Sequence, residues 1–128
     1  MPAPAFAGSD CHVPAEELQS GATNIVRELK VAFAKNSRRR VRVWSTDPLV
    51  VRIDGKKRFM AWTDIDARFE EVFGPRVREA ITEGRLRRVG YTWVLGDKAV
   101  FIGFHRYGKG CRLEIDHVFE DRPSEESK

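Results

Sequence analysis

From Val13-Pro14 onward, Leu18, Ala22, Ile25, Val26, Leu29 and Phe33 recur at intervals of three and four residues. That spacing predicts one amphipathic helix, opened by Pro14, weakened locally by Gly21 and closed by Asn36-Ser37. Val41-Arg42-Val43-Trp44 alternates and reads as a strand or an extended lead-in. Leu49, Val51 and Ile53 then share one face of a clearer strand, with Val50 and Arg52 on the other. Asp54-Gly55 is a two-residue hairpin signal, and the segment from Lys56 to Trp62 returns.

Thr63 or Asp64 supplies an N-cap for a second helix whose buried stripe is Ile65, Phe69, Val72 and Phe73. Gly74-Pro75 breaks it and starts a short helix bearing Val77, Ala80 and Ile81, which Gly84 stops. Beyond this point the period changes to two. Val89, Tyr91, Trp93 and Leu95 alternate with Gly90, Thr92 and Val94. Gly96-Asp97 turns the chain into Ala99–Tyr107, and Gly108-Lys109-Gly110 turns it into Cys111–Phe119. Three strands joined by short turns form an antiparallel meander. The order predicts an α+β fold with an N-terminal helix and two short helices packed on one face of a curved, mainly antiparallel sheet.

With 128 residues, the chain has room for one hydrophobic core. The expected division is an N-terminal segment at 1–12, one domain at 13–119 and a polar, frayed tail at 120–128. Hydrophobic residues at 41% and charged residues at 33% are ordinary for a globular domain. A net charge of +4 and a pI near 9.3 favour acidic partners without reaching the charge density of a dedicated nucleic-acid binder. No apolar run approaches the roughly 18 residues of a membrane-spanning helix.

Pro2-Ala3-Pro4-Ala5-Phe6-Ala7-Gly8 reads either as the end of a signal peptide, cleaved after Ala5-Phe6-Ala7, or as an Ala/Pro tail. The two cysteines favour export. A bridge from Cys11 to Cys111 would tie the N-terminus to the last strand, and a loop of that size stabilises by roughly 4–5 kcal/mol in the chain-entropy model. The alternative is two unpaired, buried thiols. Periplasmic or secreted localisation follows from the bridge.

Three stretches resemble a group of small exported bacterial proteins of the nuclear transport factor 2-like superfamily: Pro48-Leu49-Val50-Val51-Arg52-Ile53-Asp54-Gly55-Lys56, Phe69 with Phe73-Gly74-Pro75-Arg76-Val77-Arg78-Glu79-Ala80-Ile81, and Val94-Leu95-Gly96-Asp97. The resemblance covers roughly residues 48 to 103. It departs at Lys98, where the pattern prefers Gly, at Thr92, and at Arg87-Arg88. It implies a cystatin-like cone, in which the sheet curls around a helix-lined interior, and homodimers packed through the open sheet face. The superfamily contains isomerases, dehydratases and many non-catalytic binding domains, so fold does not fix function.

Tyr91, Trp93, His105 and Tyr107 on the late strands are the candidate ligand-pocket residues. An isomerase-like site would use Tyr91 as oxyanion donor and Asp47 or Asp116 as base. His12, His105 and His117 are too dispersed for metal ligation, and Ser20, Ser37 and Ser45 lie outside any nucleophile motif. Arg38, Arg39, Arg40 and Arg42, joined by Arg87 and Arg88, are the candidate anion-binding set. The expectation is an exported, non-catalytic binding domain for an unknown protein or small ligand, without cofactor or metal. Export removes nucleic acid as a routine partner. The alternatives are an isomerase- or dehydratase-like enzyme with an acid–base pair in the cone, and an anion-binding module.

Overall fold

The computed structural model describes residues 6–7, 13–90, 92–107 and 110–120, with side-chain positions for 13–90, 92–105 and 111–120. Phe6–Ala7 form a short strand, β1. The long helix α1 (Ala15–Ala34) buries Leu18, Ala22, Ile25 and Leu29 of the predicted stripe together with Ala32, while the predicted Val26 and Phe33 are only partly buried. Gly21 marks close approach, since a Cβ there would lie 2.7 Å from Leu113 Cδ1.

The expected extended lead-in is instead a helical turn, α2 (Arg38–Arg42). Ser37 is its N-cap, and its hydroxyl accepts from the Arg40 N–H at 3.3 Å. A turn puts Val41 and Trp44, three residues apart, on one side, and both are buried. An extended chain would have paired Val41 with Val43.

Strand β2 (Ser45–Ile53) turns through Asp54 and Gly55, at φ +56° and +78°, into β3 (Lys56–Met60). Two positive φ values in succession are the type I′ geometry this dipeptide favours. The single helix expected next is two short ones, α3 (Trp62–Ala67) and α4 (Phe69–Val72), separated at Arg68. Neither Thr63 nor Asp64 caps α3. The N-cap is Ala61, and the Asp47 carboxylate accepts from the Trp62 N–H at 3.1 Å. The stripe Ile65, Phe69, Val72 and Phe73 is buried as predicted. Helix α5 (Pro75–Glu83) follows the break at Gly74.

The strand expected to pass through Val89–Leu95 is a hairpin, β4 (Leu86–Val89) and β5 (Thr92–Leu95). Gly90 at φ +65° reverses the chain there, a conformation a strand interior excludes. Strands β6 (Val100–Tyr107) and β7 (Gly110–Phe119) complete the meander, which has four strands where three were predicted.

The sheet order is β3-β2-β7-β6-β5-β4, with β1 pairing β7. Only β2 against β7 is parallel, so the sheet is mixed but mainly antiparallel, and it is curved and open. The fold is the predicted α+β class. Leu49, Val51, Trp93, Leu95, Val100, Ile102, Leu113, Ile115 and Val118 share one buried cluster with the stripes of α1, α3, α4 and α5. The helices therefore cover one face, and among the described residues no helix covers the other. Glu120, assigned by sequence to the frayed tail, is bonded into the domain. Its N–H donates to the Arg52 carbonyl at 3.0 Å, and its carboxylate accepts from the Arg76 and Val77 N–H groups.

Candidate functional site

Cross-strand register lines up one residue from each of six strands on the face that no helix of the described residues covers, where Val94 is nonetheless 3% exposed. Phe59 pairs with Val50, Val50 with His117, His117 with Phe101, Phe101 with Val94, and Val94 with Arg87. At about 4.8 Å between strands, the row is about 24 Å long. Five of its six members are apolar or aromatic. Phe59 is 75% exposed, which is uncommon for so large an apolar side chain. The rings of Phe101, His117 and Phe119 meet edge to face, with centroids 5.5 to 5.8 Å apart.

The flanks of this row differ in composition. On one side, Phe119 pairs with Arg52 and Arg52 with Lys57. The Arg52 guanidinium lies 4.3 Å and the Lys57 ammonium 5.4 Å from the Phe119 ring centroid. Two cations directly opposite repel each other, and the shared aromatic face offsets part of that cost.

On the other side lies Asp116. A register shift between Phe101 and Ile102 inserts one extra residue into β7, and this bulge brings Asp116 beside His117. Asp116 Oδ1 is 2.8 Å from His117 Nδ1, and Asp116 Oδ2 is 3.0 Å from His105 Nε2. Gly103 makes the room, because a Cβ at that position would fall 2.2 Å from Asp116 Oδ2. The Asp116 bond, opposed by desolvation and aided by the charges of Asp116 and Glu114, raises the His105 pKa above the ordinary 6.5.

One carboxylate thus holds two imidazoles, each through a different oxygen. The two bonding nitrogens, His105 Nε2 and His117 Nδ1, are engaged by separate oxygens of Asp116. Among the described residues, no group of His, Cys, Asp and Glu is arranged to hold a metal. Among the described residues, no serine, threonine or cysteine is hydrogen-bonded to either imidazole.

Of the predicted pocket residues, Trp93 and His105 lie on opposite faces of the sheet. Trp93 is 1% exposed on the inner face, where its Nε1–H donates to Gln19 Oε1 at 2.8 Å. His105 lies on the opposite face, because β6 alternates and Ile102 is the residue that pairs with Trp93. Tyr91 and the side chain of Tyr107 lie outside the described residues. Neither candidate base lies in the interior. Asp47 is exposed and caps α3, while Asp116 belongs to the outer cluster.

The arginines are divided likewise. α2 packs beside α1 and α3, whereas β4, with Arg87 and Arg88, is the edge strand at the far end of the sheet order from β3. Arg42 lies over the Trp62 ring and 3.0 Å from Asp66, and Arg38 lies over Phe69 and donates to the Asp66 carbonyl at 3.2 Å. Arg88 donates to the Gly90 carbonyl, and Arg39, Arg40 and Arg87 are exposed. Cys111 is buried on β7, and Cys11 lies outside the described residues.

Sequence reasoning missed the pairing of His105 with His117 through Asp116. Their strands do pair as neighbours, but only the bulge decides that Asp116 sits between them. No helix of the described chain is long and apolar enough to cross a membrane. Comparison with family models, with curated proteins and with solved structures returned no match.

Proposed function

We propose that the chain is an exported, non-catalytic binding domain of nuclear transport factor 2-like type, and that its uncovered sheet face docks a second copy of itself. The single observation that carries this is the register-aligned row from Phe59 to Arg87. The element order, with one long helix, a hairpin, short helices and a final meander, supports the family resemblance. The interior supports the non-catalytic part, since Trp93, Phe73, Ile25, Leu29, Ile81 and Leu113 occupy it.

The row itself favours a copy of the same chain: a two-fold axis along it superposes the two rows, so that the apolar members Phe59, Val50, Phe101 and Val94 meet their own equivalents. A face about 24 Å across, and about 27 Å along the eight residues of β6, approaches the roughly 800 Å² per partner of a standard interface. The outer strands carry Lys56, Lys57 and Arg58 on β3 and Arg87 and Arg88 on β4, charges that discourage edge-to-edge pairing.

Sedimentation equilibrium tests the reading. The wild-type chain dimerises, and Phe59→Arg, a change at an exposed position, weakens the dimer at least about tenfold, the scale of a lost anchor at an interface centre. A wild-type chain that stays monomeric up to millimolar concentration refutes it.

A further inference from the structure

We infer that the cavity between the end of α1 and helices α2, α4 and α5 is a binding site for a small aromatic carboxylate, with Arg38 and Arg78 as its anion anchors. It lies on the helix-covered side of the sheet, so it stands independently of the docking face.

The cavity measures about 200 Å³. That is below the roughly 300–1,000 Å³ of sites for drug-sized molecules, so its occupant is no larger than a single substituted ring. Part of the wall is apolar. Phe33 comes from the last turn of α1 and Phe69 from the start of α4, with ring centroids 6.3 Å apart.

The rest of the wall carries an excess of positive charge. Arg78 Nη2 lies 2.9 Å from the Glu70 carboxylate, and Arg38 Nη2 lies 3.9 Å from it. Two guanidiniums share one carboxylate, which leaves one positive charge in surplus. The nearby Asp66 carboxylate does not cancel it, being 3.0 Å from Arg42.

Both arginines are positioned before any ligand arrives. Arg38 lies 5.4 Å from the Phe69 ring centroid and donates to the Asp66 carbonyl, while Arg78 lies 5.1 Å from the Phe33 ring centroid and donates to the Phe73 carbonyl at 2.7 Å. Side chains already ordered lose little entropy on binding. A guanidinium has more N–H donors than these contacts use. Glu70 is the loose member, since its side chain is 69% exposed and its pairing with the half-exposed Arg38 is worth little. A ligand carboxylate can take its place with the paired geometry that arginine favours. Asn36 also lines the cavity, and among the described residues its side-chain amide makes no hydrogen bond, so its N–H donors are open to a ligand oxygen.

Amide-resolved NMR titration of the full chain at pH 7 and low salt tests the site, with benzoate as probe and phosphate and benzamide as controls. Benzoate should bind with a dissociation constant of about 1 mM or tighter, shifting the amides of Asn36 and Glu70, and both controls should bind more weakly. Arg38→Gln weakens benzoate binding about fivefold, the scale of a charged hydrogen bond at a half-exposed site. Asn36→Gly weakens it too, because Asn36 sits at φ +54° and glycine keeps that backbone while removing the amide. Glu70→Gln has the opposite effect and tightens binding on the order of threefold to fivefold, since it removes a like charge beside the ligand.

No shift at tens of millimolar benzoate overturns the site. Benzamide binding as well as benzoate overturns the role of the arginines, and phosphate binding as well overturns the role of the phenyl wall. Affinity unchanged in both Arg38→Gln and Glu70→Gln places the ligand elsewhere and overturns the inference. The oligomeric state of the chain enters none of these outcomes.

Discussion

Replacing Glu120 with alanine should destabilise the fold by about 2 kcal/mol, although the residue sits one position past the last strand. The reason lies at the start of α5. Its N-cap is Gly74, which has no side chain to offer, and Pro75 in the first turn has no N–H. Arg78 donates to the Gly74 carbonyl at 2.9 Å, which leaves the N–H groups of Arg76 and Val77. The Glu120 carboxylate accepts both, at 3.1 Å and 3.0 Å, from 43 and 44 residues away.

A cap is worth about 0.5–2 kcal/mol, and a carboxylate at a helix N-terminus adds about 0.3–1 kcal/mol at a half-exposed site. Water recovers part of the loss when the carboxylate is removed, so about 2 kcal/mol is the expected net. For a chain of this size that corresponds to a melting-temperature drop of roughly 6–10 °C. Urea denaturation of wild type, Glu120→Ala, Glu120→Gln and Gly74→Ala reads it out. The glutamine variant keeps one acceptor and should lose about half as much. Gly74→Ala places a Cβ 2.7 Å from the Glu120 carboxyl carbon and should displace the same bonds, so its cost should shrink once Glu120 is already alanine. A Glu120→Ala protein within about 0.5 kcal/mol of wild type refutes the reasoning.

Three further outcomes are expected. Lys98 is exposed and sits at φ +59°, where an L side chain is strained, so Lys98→Gly should stabilise by roughly 0.5–1 kcal/mol in the same assay; a loss would contradict this. The proton that Asp116 stabilises on His105 contributes stability that is complete below the unfolded imidazole value of about 6.5 and is lost as pH rises through the raised folded value. Imidazole resonances followed by NMR should show His105 titrating above 6.5 in the wild type and lower in Asp116→Asn, and an unchanged midpoint would remove Asp116 as the cause. With Cys11 bridged to Cys111, thiol counting under denaturing, non-reducing conditions gives none and reduction gives two; two reactive thiols before reduction would end the bridge and the argument for export.

What could be read from the chain alone were the elements whose cause is local. The α1 stripe, the Asp54-Gly55 turn and the Pro75-to-Gly84 limits of α5 depend on residues within one element, so periodicity and backbone preference suffice. Where two local structures satisfy the same few residues, sequence could not choose. Val41–Trp44 alternates, yet burying Val41 with Trp44 required a helical turn, and one positive φ at Gly90 split a strand whose alternation looked continuous. The candidate site was beyond reach for a different reason. Its parts are assigned by register, in which one bulge places Asp116 between two histidines and the parity of a strand sends Trp93 inward and His105 outward. Glu120 belongs to the same class, because a cap taken from 43 residues away exists only once the sheet and helix have docked. Local patterns specify elements through short-range sterics and solvation, whereas pairing between distant residues is decided by the packing of the whole core.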